Sequence, residues 1–121
     1  MATSPTQLSL KKMRGDEFRT AIVEHWNAFA HKRYDLYGYA DLLGVGDGRT
    51  LAVQTTTSGH VAERVRKILD DRTDAAKDCL HSGWEIEVHG WKQKKKGAPW
   101  KVRIVDITLD EFDNLVATER K

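Results

Sequence analysis

The chain has a single cysteine, Cys79, and no apolar run that approaches the about 20 residues needed to span a bilayer. One cysteine cannot form an internal disulfide, and neither a second cysteine nor a nearby histidine stands at zinc-site spacing. The first residues lack the apolar centre of a signal peptide. These absences exclude a disulfide scaffold and a zinc ribbon, and they predict a cytoplasmic protein without a membrane partner.

Internal repeats and long low-complexity tracts are also absent, and the 121 residues include only two prolines. A chain of this length with 40% hydrophobic residues fits one domain with a real core and leaves no room for two. Residues 1–14 combine Ser, Thr and Pro with three basic side chains, so we expect a flexible basic segment there. The α/β domain is then expected over residues 15–121.

The net charge of +2 does not by itself indicate a nucleic-acid-binding protein, but the charge is unevenly distributed. Residues 84–105 contain six Lys or Arg and two Glu, whereas residues 106–121 contain five acids and two bases. A cluster of lysines beside Trp91 can follow a phosphate backbone without reading sequence, and an exposed Trp91 can stack on an unpaired base. A lysine-rich loop also serves simply to keep a protein soluble. The four lysines are Lys92, Lys94, Lys95 and Lys96.

Hydrophobic periodicity gives a coarse map of helices and strands. We predict helices at 16–30, with Asp16 as N-cap, and at 60–69, 73–81 and 109–117. We predict a short edge strand at 32–37, a hairpin around Asp47-Gly48, and strands that begin at Trp84 and Trp100. Glu24 falls on a flanking stripe of the first helix, where a carboxylate is usually solvated. The pattern predicts a single α/β domain with a mixed central β-sheet flanked by helices.

The hairpin is the most informative local feature. Asp-Gly between two apolar runs is typical of a type I′ turn, because both central residues need a positive φ. With Asp47-Gly48 as the turn, Asp41 lies opposite Gln54, and Thr56 shares their face. A carboxylate and an amide carbonyl this close can share a magnesium ion, or they can form one buried hydrogen bond. The spacing alone leaves both interpretations open.

An acid on one hairpin strand, followed on its neighbour by Gln-x-Thr, resembles the PD-(D/E)XK nuclease-like superfamily. That superfamily includes restriction endonucleases, Holliday-junction resolvases and short phage and prophage proteins. The resemblance covers roughly residues 15–107 and is carried by the segments 33–41, 51–56, 61–68 and 88–92. It implies a restriction-endonuclease-like αβββαβ core.

The resemblance also implies a site for Mg²⁺ or Mn²⁺. Asp41 and Gln54 would be metal ligands, with the Thr55 carbonyl as a third. Gln54 stands where the family has an acid, which removes one negative charge from the site. Thr56 stands where the family has a lysine that stabilises charge on the phosphate. The missing cation would come from the following helix, from Arg64 or Lys67.

Three functions follow from these features. The first is a hydrolase that binds DNA and cleaves phosphodiester bonds with Mg²⁺, using Asp41, Gln54, Thr56, Arg64 and Lys67. The second is a nuclease-like domain without catalysis, which serves as a nucleic-acid-binding or assembly module. The third is a protein-interaction domain. The departures at Gln54 and Thr56 leave open whether the domain is an enzyme, and related small nucleases suggest a homodimer.

Overall fold

The computed structural model describes residues 3–121. Over this range the chain forms a six-stranded mixed β-sheet with helices on both faces, and a separate two-stranded ribbon. The predicted α/β class, with a mixed central sheet flanked by helices, is therefore confirmed. None of the helices in the described range is long and apolar enough to cross a membrane.

One helix precedes the first five strands, and two further helices precede the last three strands. The helices are α1 (Pro5–Gly15), α2 (Val61–Arg66) and α3 (Thr73–His81), with a 3₁₀ turn at Ser58–His60 before α2 and a π-helical turn at Lys67–Asp71 after it. The strands are β1 (Arg19–Ile22), β2 (His25–Asn27), β3 (Lys32–Tyr34), β4 (Leu42–Gly46), β5 (Arg49–Thr57), β6 (Glu85–Gln93), β7 (Trp100–Leu109) and β8 (Leu115–Glu119).

The large sheet has the order β1-β4-β5-β6-β7-β8, and β2 pairs only with β3. Strands β5 and β6 are parallel, whereas the other neighbours in the large sheet are antiparallel. The crossover between the parallel strands contains α2 and α3, as a parallel connection requires. The bounds of α3 agree with the predicted helix at 73–81, and the strands beginning near Trp84 and Trp100 are adjacent but longer than predicted.

The β4–β5 hairpin has the predicted turn and register. Asp47 and Gly48 both have positive φ, 51° and 72°, and Gly46 pairs with Arg49. The backbone N–H of Asp41 continues the ladder by donating to the Val53 carbonyl at 2.9 Å. Asp41 is therefore held opposite the second half of β5.

Apolar side chains cover this hairpin on both faces, as a central strand pair requires. On the face that we call the α1 face, the buried cluster consists of Leu10, Met13, Phe18, Leu42, Leu51 and Val53. On the opposite face, the α2 face, the buried cluster includes Tyr39, Ala52, Val61, Ile68, Cys79 and Val88. The polar residues at the end of β5 thus lie inside the protein.

The N-terminal segment is not flexible as predicted. Ser4 caps α1, its hydroxyl accepting from the Gln7 N–H at 3.2 Å, and Pro5 occupies the first turn, where no N–H is needed. Leu10 and Met13 are buried against the sheet. The basic side chains of this segment lie on the solvent-exposed face of an amphipathic helix. Their charge made the apolar face of that helix hard to recognise in the sequence. Residues 1–2 of the predicted segment lie outside the described range.

The helix predicted at 16–30 is wrong, because β1 and β2 occupy that segment. Asp16 is the C-cap of α1 rather than an N-cap, and Glu17, with φ 71°, reverses the chain into β1. Apolar spacings of four residues suit a helix face, but four is also a multiple of the strand period of two. Phe18 is buried while Trp26 is exposed, so the two do not form one stripe.

The helix predicted at 109–117 is also wrong, because β7 and β8 form a hairpin there. The Asp110 carboxylate accepts from the N–H groups of Phe112 and Asn114, each at 2.9 Å, and Asp113 has φ 64°. Asp side chains that bind nearby backbone N–H groups stabilise turns as readily as helix caps. For that reason the acidic segment 110–113 resembles the N-terminus of a helix.

Gly90 on β6 sets how closely α2 approaches the sheet. A Cβ at this position would clash with Val61 Cγ2 and lie 3.1 Å from the Ser58 Cα. We expect Gly90→Ala to lower the free energy of unfolding by about 1–3 kcal/mol, the usual range for overpacking. Urea denaturation measures this loss. Gly59→Ala is the matched control, because a Cβ there meets nothing within 4 Å, and equal stability of the two variants would contradict the prediction.

Candidate functional site

Three carboxylates meet at the point where the ribbon joins the large sheet. Asp41 immediately precedes β4, Glu24 immediately precedes β2, and Asp35 immediately follows β3. One oxygen from each lies within 4.8 Å of the other two. We call these three residues the acid cluster.

Asp41 is the buried member of the acid cluster, with 5% of its surface exposed. Its Oδ2 accepts from the Gln54 side-chain amide at 2.6 Å and from the Thr55 backbone N–H at 2.9 Å. The predicted contact between Asp41 and Gln54 is therefore present. Thr55 takes part through its N–H, which fixes the carboxylate to β5.

The electrostatics of the acid cluster oppose ionisation of Asp41. Burial raises the pKa of Asp41 from 3.8 to about 8; the Thr55 N–H opposes this shift, and the neighbouring Asp35 and Glu24 add to it. Carboxylates in contact cannot all lose their protons without a counter-charge. The Asp41 carboxyl accordingly holds a proton at neutral pH, and a divalent cation would replace that proton.

Gln54 supplies an independent indication of a ligand. Its side chain is 1% exposed, and its Oε1 has no hydrogen-bond partner, although the amide nitrogen of the same group binds Asp41. A buried carbonyl oxygen without a partner costs about 1–3 kcal/mol. Amide and carboxylate oxygens are ligands that hard cations accept. The donor set of the acid cluster and Gln54 therefore fits magnesium or manganese.

A lysine approaches the acid cluster from the π-helical turn after α2. Lys67 Nζ lies 3.9 Å from Asp35 Oδ2, and the lysine side chain is partly exposed. Thr56 is buried on the Gln54 side of β5. Arg64 is partly buried on α2 with its Nε unpartnered, and among residues 3–121 no hydrogen bond or ion pair joins it to the acid cluster. The structure therefore brings Lys67, rather than Arg64, to the cluster.

The sequence did not reveal two members of the acid cluster. Glu24 was expected on a helix face, and Asp35 was not singled out. The chain returns from Asp35 to Asp41 through a tight turn. In this turn Tyr37 and Gly38 have positive φ, and Leu36 forms an isolated β-bridge with Ala40. The Tyr-Gly pair between two acids was the available turn signal.

Comparison with family models, with curated proteins and with solved structures found no match to this chain.

Trp91 is not the exposed stacking residue that the sequence predicted. It is 8% exposed, and its Nε1–H donates to Ser9 Oγ at 2.8 Å beneath α1. The prediction is wrong because α1, the helix that covers this face of β6, was not predicted from the sequence. Because Trp91 is buried, the predicted nucleic-acid contacts are reduced to the lysines that follow it.

Four lysines at and beside the β6–β7 turn are exposed, and within residues 3–121 none lies within 4.0 Å of an acidic oxygen; they are Lys92 at the end of β6 and Lys94, Lys95 and Lys96 in the turn. Parallel pairing of Gln54 with Val88 and of Thr56 with Gly90 places Lys92 on the α2 face. Lys101, directly opposite Lys92 on β7, adds a further positive charge there. The unpaired lysines and the acid cluster lie toward the same end of the sheet, where β5 ends.

A hydrogen-bonded network on the α1 face has the residue types of a catalytic triad. His89 Nδ1 lies 2.9 Å from Ser9 Oγ, and His89 Nε2 lies 2.8 Å from Glu87 Oε1. Burial favours a higher pKa for Glu87, but His89 and Arg120 outweigh burial and lower it. Ser9 is fully buried and also contacts Thr55, so no substrate reaches its hydroxyl. This network holds α1 on the sheet.

Proposed function

We propose that the chain binds Mg²⁺ or Mn²⁺ at the acid cluster and hydrolyses phosphodiester bonds in DNA, as a nuclease of the PD-(D/E)XK type. The observation that carries the proposal is the buried, unpartnered Oε1 of Gln54, a side chain whose amide nitrogen binds Asp41 of the acid cluster. The order α1, β1, β4, β5, α2, β6 supports it, since this order follows the αβββαβ plan of that superfamily.

Each member of the site has a separate role in this proposal. Glu24, Asp35 and Asp41 hold the cation with their carboxylates, and Gln54 adds a neutral oxygen. Such a cation stabilises charge on a phosphate and lowers the pKa of water. The Thr55 N–H keeps Asp41 in place. Thr56, which cannot carry a positive charge, contributes to the buried wall of the site.

Lys67 takes the position of the missing cation. Its ammonium group reaches Asp35 from the π-helical turn after α2 instead of from β5, and lies 3.9 Å from the Asp35 carboxylate. A lysine there stabilises negative charge on a bound phosphate. A guanidinium does not release its proton in proteins, so a lysine suits proton transfer better than an arginine.

The lysines of the β6–β7 turn extend the site along a nucleic-acid backbone. Lys92 and Lys101 are on the α2 face, and the turn lysines lie beyond them. Contacts of this kind bind DNA without reading its sequence, and their strength falls steeply as salt rises. The proposed substrate is therefore DNA held by its phosphates.

Thermal unfolding with and without Mn²⁺, paired with DNA cleavage, tests the proposal. We expect Mn²⁺ to stabilise the wild-type protein by about 2.7 kcal/mol at about 100-fold excess over Kd. Asp35→Asn should lose both the stabilisation and the cleavage. Asp70→Asn, an exposed acid on the same π-helical turn as Lys67, should lose neither.

The outcomes separate the candidate functions. No response of the wild-type protein to Mn²⁺ or Mg²⁺ would reject the metal site. A full response to Mn²⁺ without cleavage of any DNA would reject hydrolysis and leave a binding module. Cleavage that persists in Asp35→Asn would place the reaction elsewhere on the molecule.

A further inference from the structure

The ribbon formed by residues 25–34 is unpartnered. Strands β2 and β3 pair only with each other, outside the six-stranded sheet. Its turn presents Phe29 with 100% of its surface exposed, and Trp26 beside it is 56% exposed. An isolated two-stranded hairpin is marginally stable in water at best. An exposed aromatic group on such an element indicates a surface for a partner.

The turn that carries Phe29 has defined geometry. The Asn27 side-chain oxygen accepts from the N–H groups of Phe29 and Ala30, each at 3.0 Å. His31 has φ 53° and meets the Trp26 ring edge-on, with centroids 6.4 Å apart. Asparagine bonds of this type fix a turn locally, without help from the domain core. The ribbon therefore holds Phe29 outward rather than leaving it to fold back.

The positive charge of the ribbon indicates the kind of partner that fits it. Residues 25–34 contain no acid, whereas they contain Lys32, Arg33 and two histidines. Lys32 Nζ lies 5.2 Å from the centroid of the Tyr34 ring, and Trp26 pairs with Arg33 across the ribbon, so each face of the ribbon carries an aromatic ring together with a cation. Exposed rings among cations are the features with which proteins bind unpaired nucleotides, because rings stack on bases and cations meet phosphates.

The position of the ribbon connects it to the acid cluster. Glu24 and Asp35, the residues at its two ends, are members of that cluster. Arg33 of β3 reaches back to Glu24, with Nη1 and Oε1 3.4 Å apart. A strand of DNA bound along the ribbon is therefore led directly to the carboxylates.

We infer that the ribbon binds unpaired nucleotides of DNA, with Phe29 and Trp26 stacking on bases, and so directs the enzyme to the boundary between single-stranded and duplex DNA. This inference rests on the proposed function and names the substrate class of the same site. A second copy of the chain is a poorer occupant. A two-fold contact between ribbons would bring Lys32 and Arg33 of both copies together and repel.

Fluorescence anisotropy in EDTA tests the inference without needing the metal. The probes are a blunt DNA duplex and a fork of equal phosphate number that ends in two unpaired tails. We expect the wild-type protein to prefer the fork, and Phe29→Ser to weaken fork binding by about tenfold or more while leaving blunt-duplex binding unchanged. Phe112→Ser is the matched control, since Phe112 is 77% exposed on the β7–β8 turn, outside the ribbon.

Three other results would overturn the inference, and a fourth would reject only the hydrolase. Unchanged fork affinity in Phe29→Ser would exclude stacking by the ribbon. Equal loss on fork and blunt duplex would indicate a general effect on the fold, which circular dichroism of the variant checks. Self-association of the wild-type protein that Phe29→Ser abolishes, without any effect on DNA, would assign the ribbon to a dimer. A fork preference in EDTA with no cleavage in Mn²⁺ would reject the hydrolase and retain the ribbon's role.

Discussion

Asp41→Asn is expected to abolish the response to Mn²⁺ and at the same time to make the protein more stable in EDTA. Asparagine keeps an oxygen that accepts from the Thr55 N–H, and it cannot become charged beside Asp35 and Glu24. The free energy of unfolding in EDTA should therefore rise by on the order of 2 kcal/mol at about pH 8. Loss of a metal ligand should reduce cleavage by more than about 100-fold, the upper range for supporting groups around a metal.

The sign of the pH effect follows from the raised pKa of Asp41. In the unfolded chain the carboxyl ionises near its ordinary value of 3.8, whereas burial raises its pKa to about 8 in the folded protein. The retained proton contributes stability fully below 3.8, and that contribution is lost as the pH rises to about 8. Wild-type stability in EDTA should fall across this interval, and Asp41→Asn should remove that part of the fall.

Urea denaturation in EDTA at several pH values, repeated with Mn²⁺, measures both effects. Asp47→Asn is the matched control, because Asp47 lies exposed in the turn of the same hairpin, at a positive φ that asparagine tolerates. An Asp41→Asn protein that still responds to Mn²⁺, or that is less stable than wild type at high pH, would contradict the assignment.

The second large effect is expected at Glu87, under α1. Its two carboxylate oxygens bind different side chains, Oε1 to His89 Nε2 at 2.8 Å and Oε2 to Arg120 at 3.2 Å. Glu87→Ala leaves the buried His89 Nε2 without this partner, whereas the half-exposed Arg120 keeps Asp106, so we expect a loss of about 1–3 kcal/mol, the usual cost of an unsatisfied buried polar group. Glu87→Gln should cost less, because it keeps a hydrogen-bonding side chain in place.

Glu85→Ala is the matched control on the same strand and the same face. Glu85 binds Arg49 at 2.7 Å, but both side chains are nearly half exposed, so the loss should be at most about 1 kcal/mol. Urea denaturation compares the two variants. The lowered pKa of Glu87 means that its contribution is present above its ordinary value of 4.5 and is lost as the pH falls below it. Equal costs for Glu85→Ala and Glu87→Ala would refute the role of the network.

The parts of the fold that the sequence predicted are those determined by neighbouring residues. Asp47-Gly48 fixed the hairpin register, and with it the contact of Asp41 with Gln54, because a type I′ turn allows one register. The helix at 73–81 was predicted because its apolar residues recur at helical spacing and pack against the same hydrophobic core. In both cases the decisive signal lies within a few residues.

The failures arise where contacts between distant segments decide the structure. Phe18 and Trp26 share a spacing that suits helix and strand equally, and only packing beneath α1 makes the first a core residue. Glu24 and Asp35 approach Asp41 because the ribbon brings two segments back to the start of β4. Trp91 was misassigned because its cover comes from Ser9, far away in sequence.

Thr55 joins the two faces of the sheet in a way that has a practical consequence. Its hydroxyl binds Ser9 and the Pro5 carbonyl of α1, while its backbone N–H binds Asp41. The packing of α1 on one face of the sheet therefore affects, through Thr55, the position of the Asp41 carboxylate on the other face. Deleting the N-terminal helix to obtain a smaller protein would leave the acidic residues in the chain while removing the support that holds one of them in position.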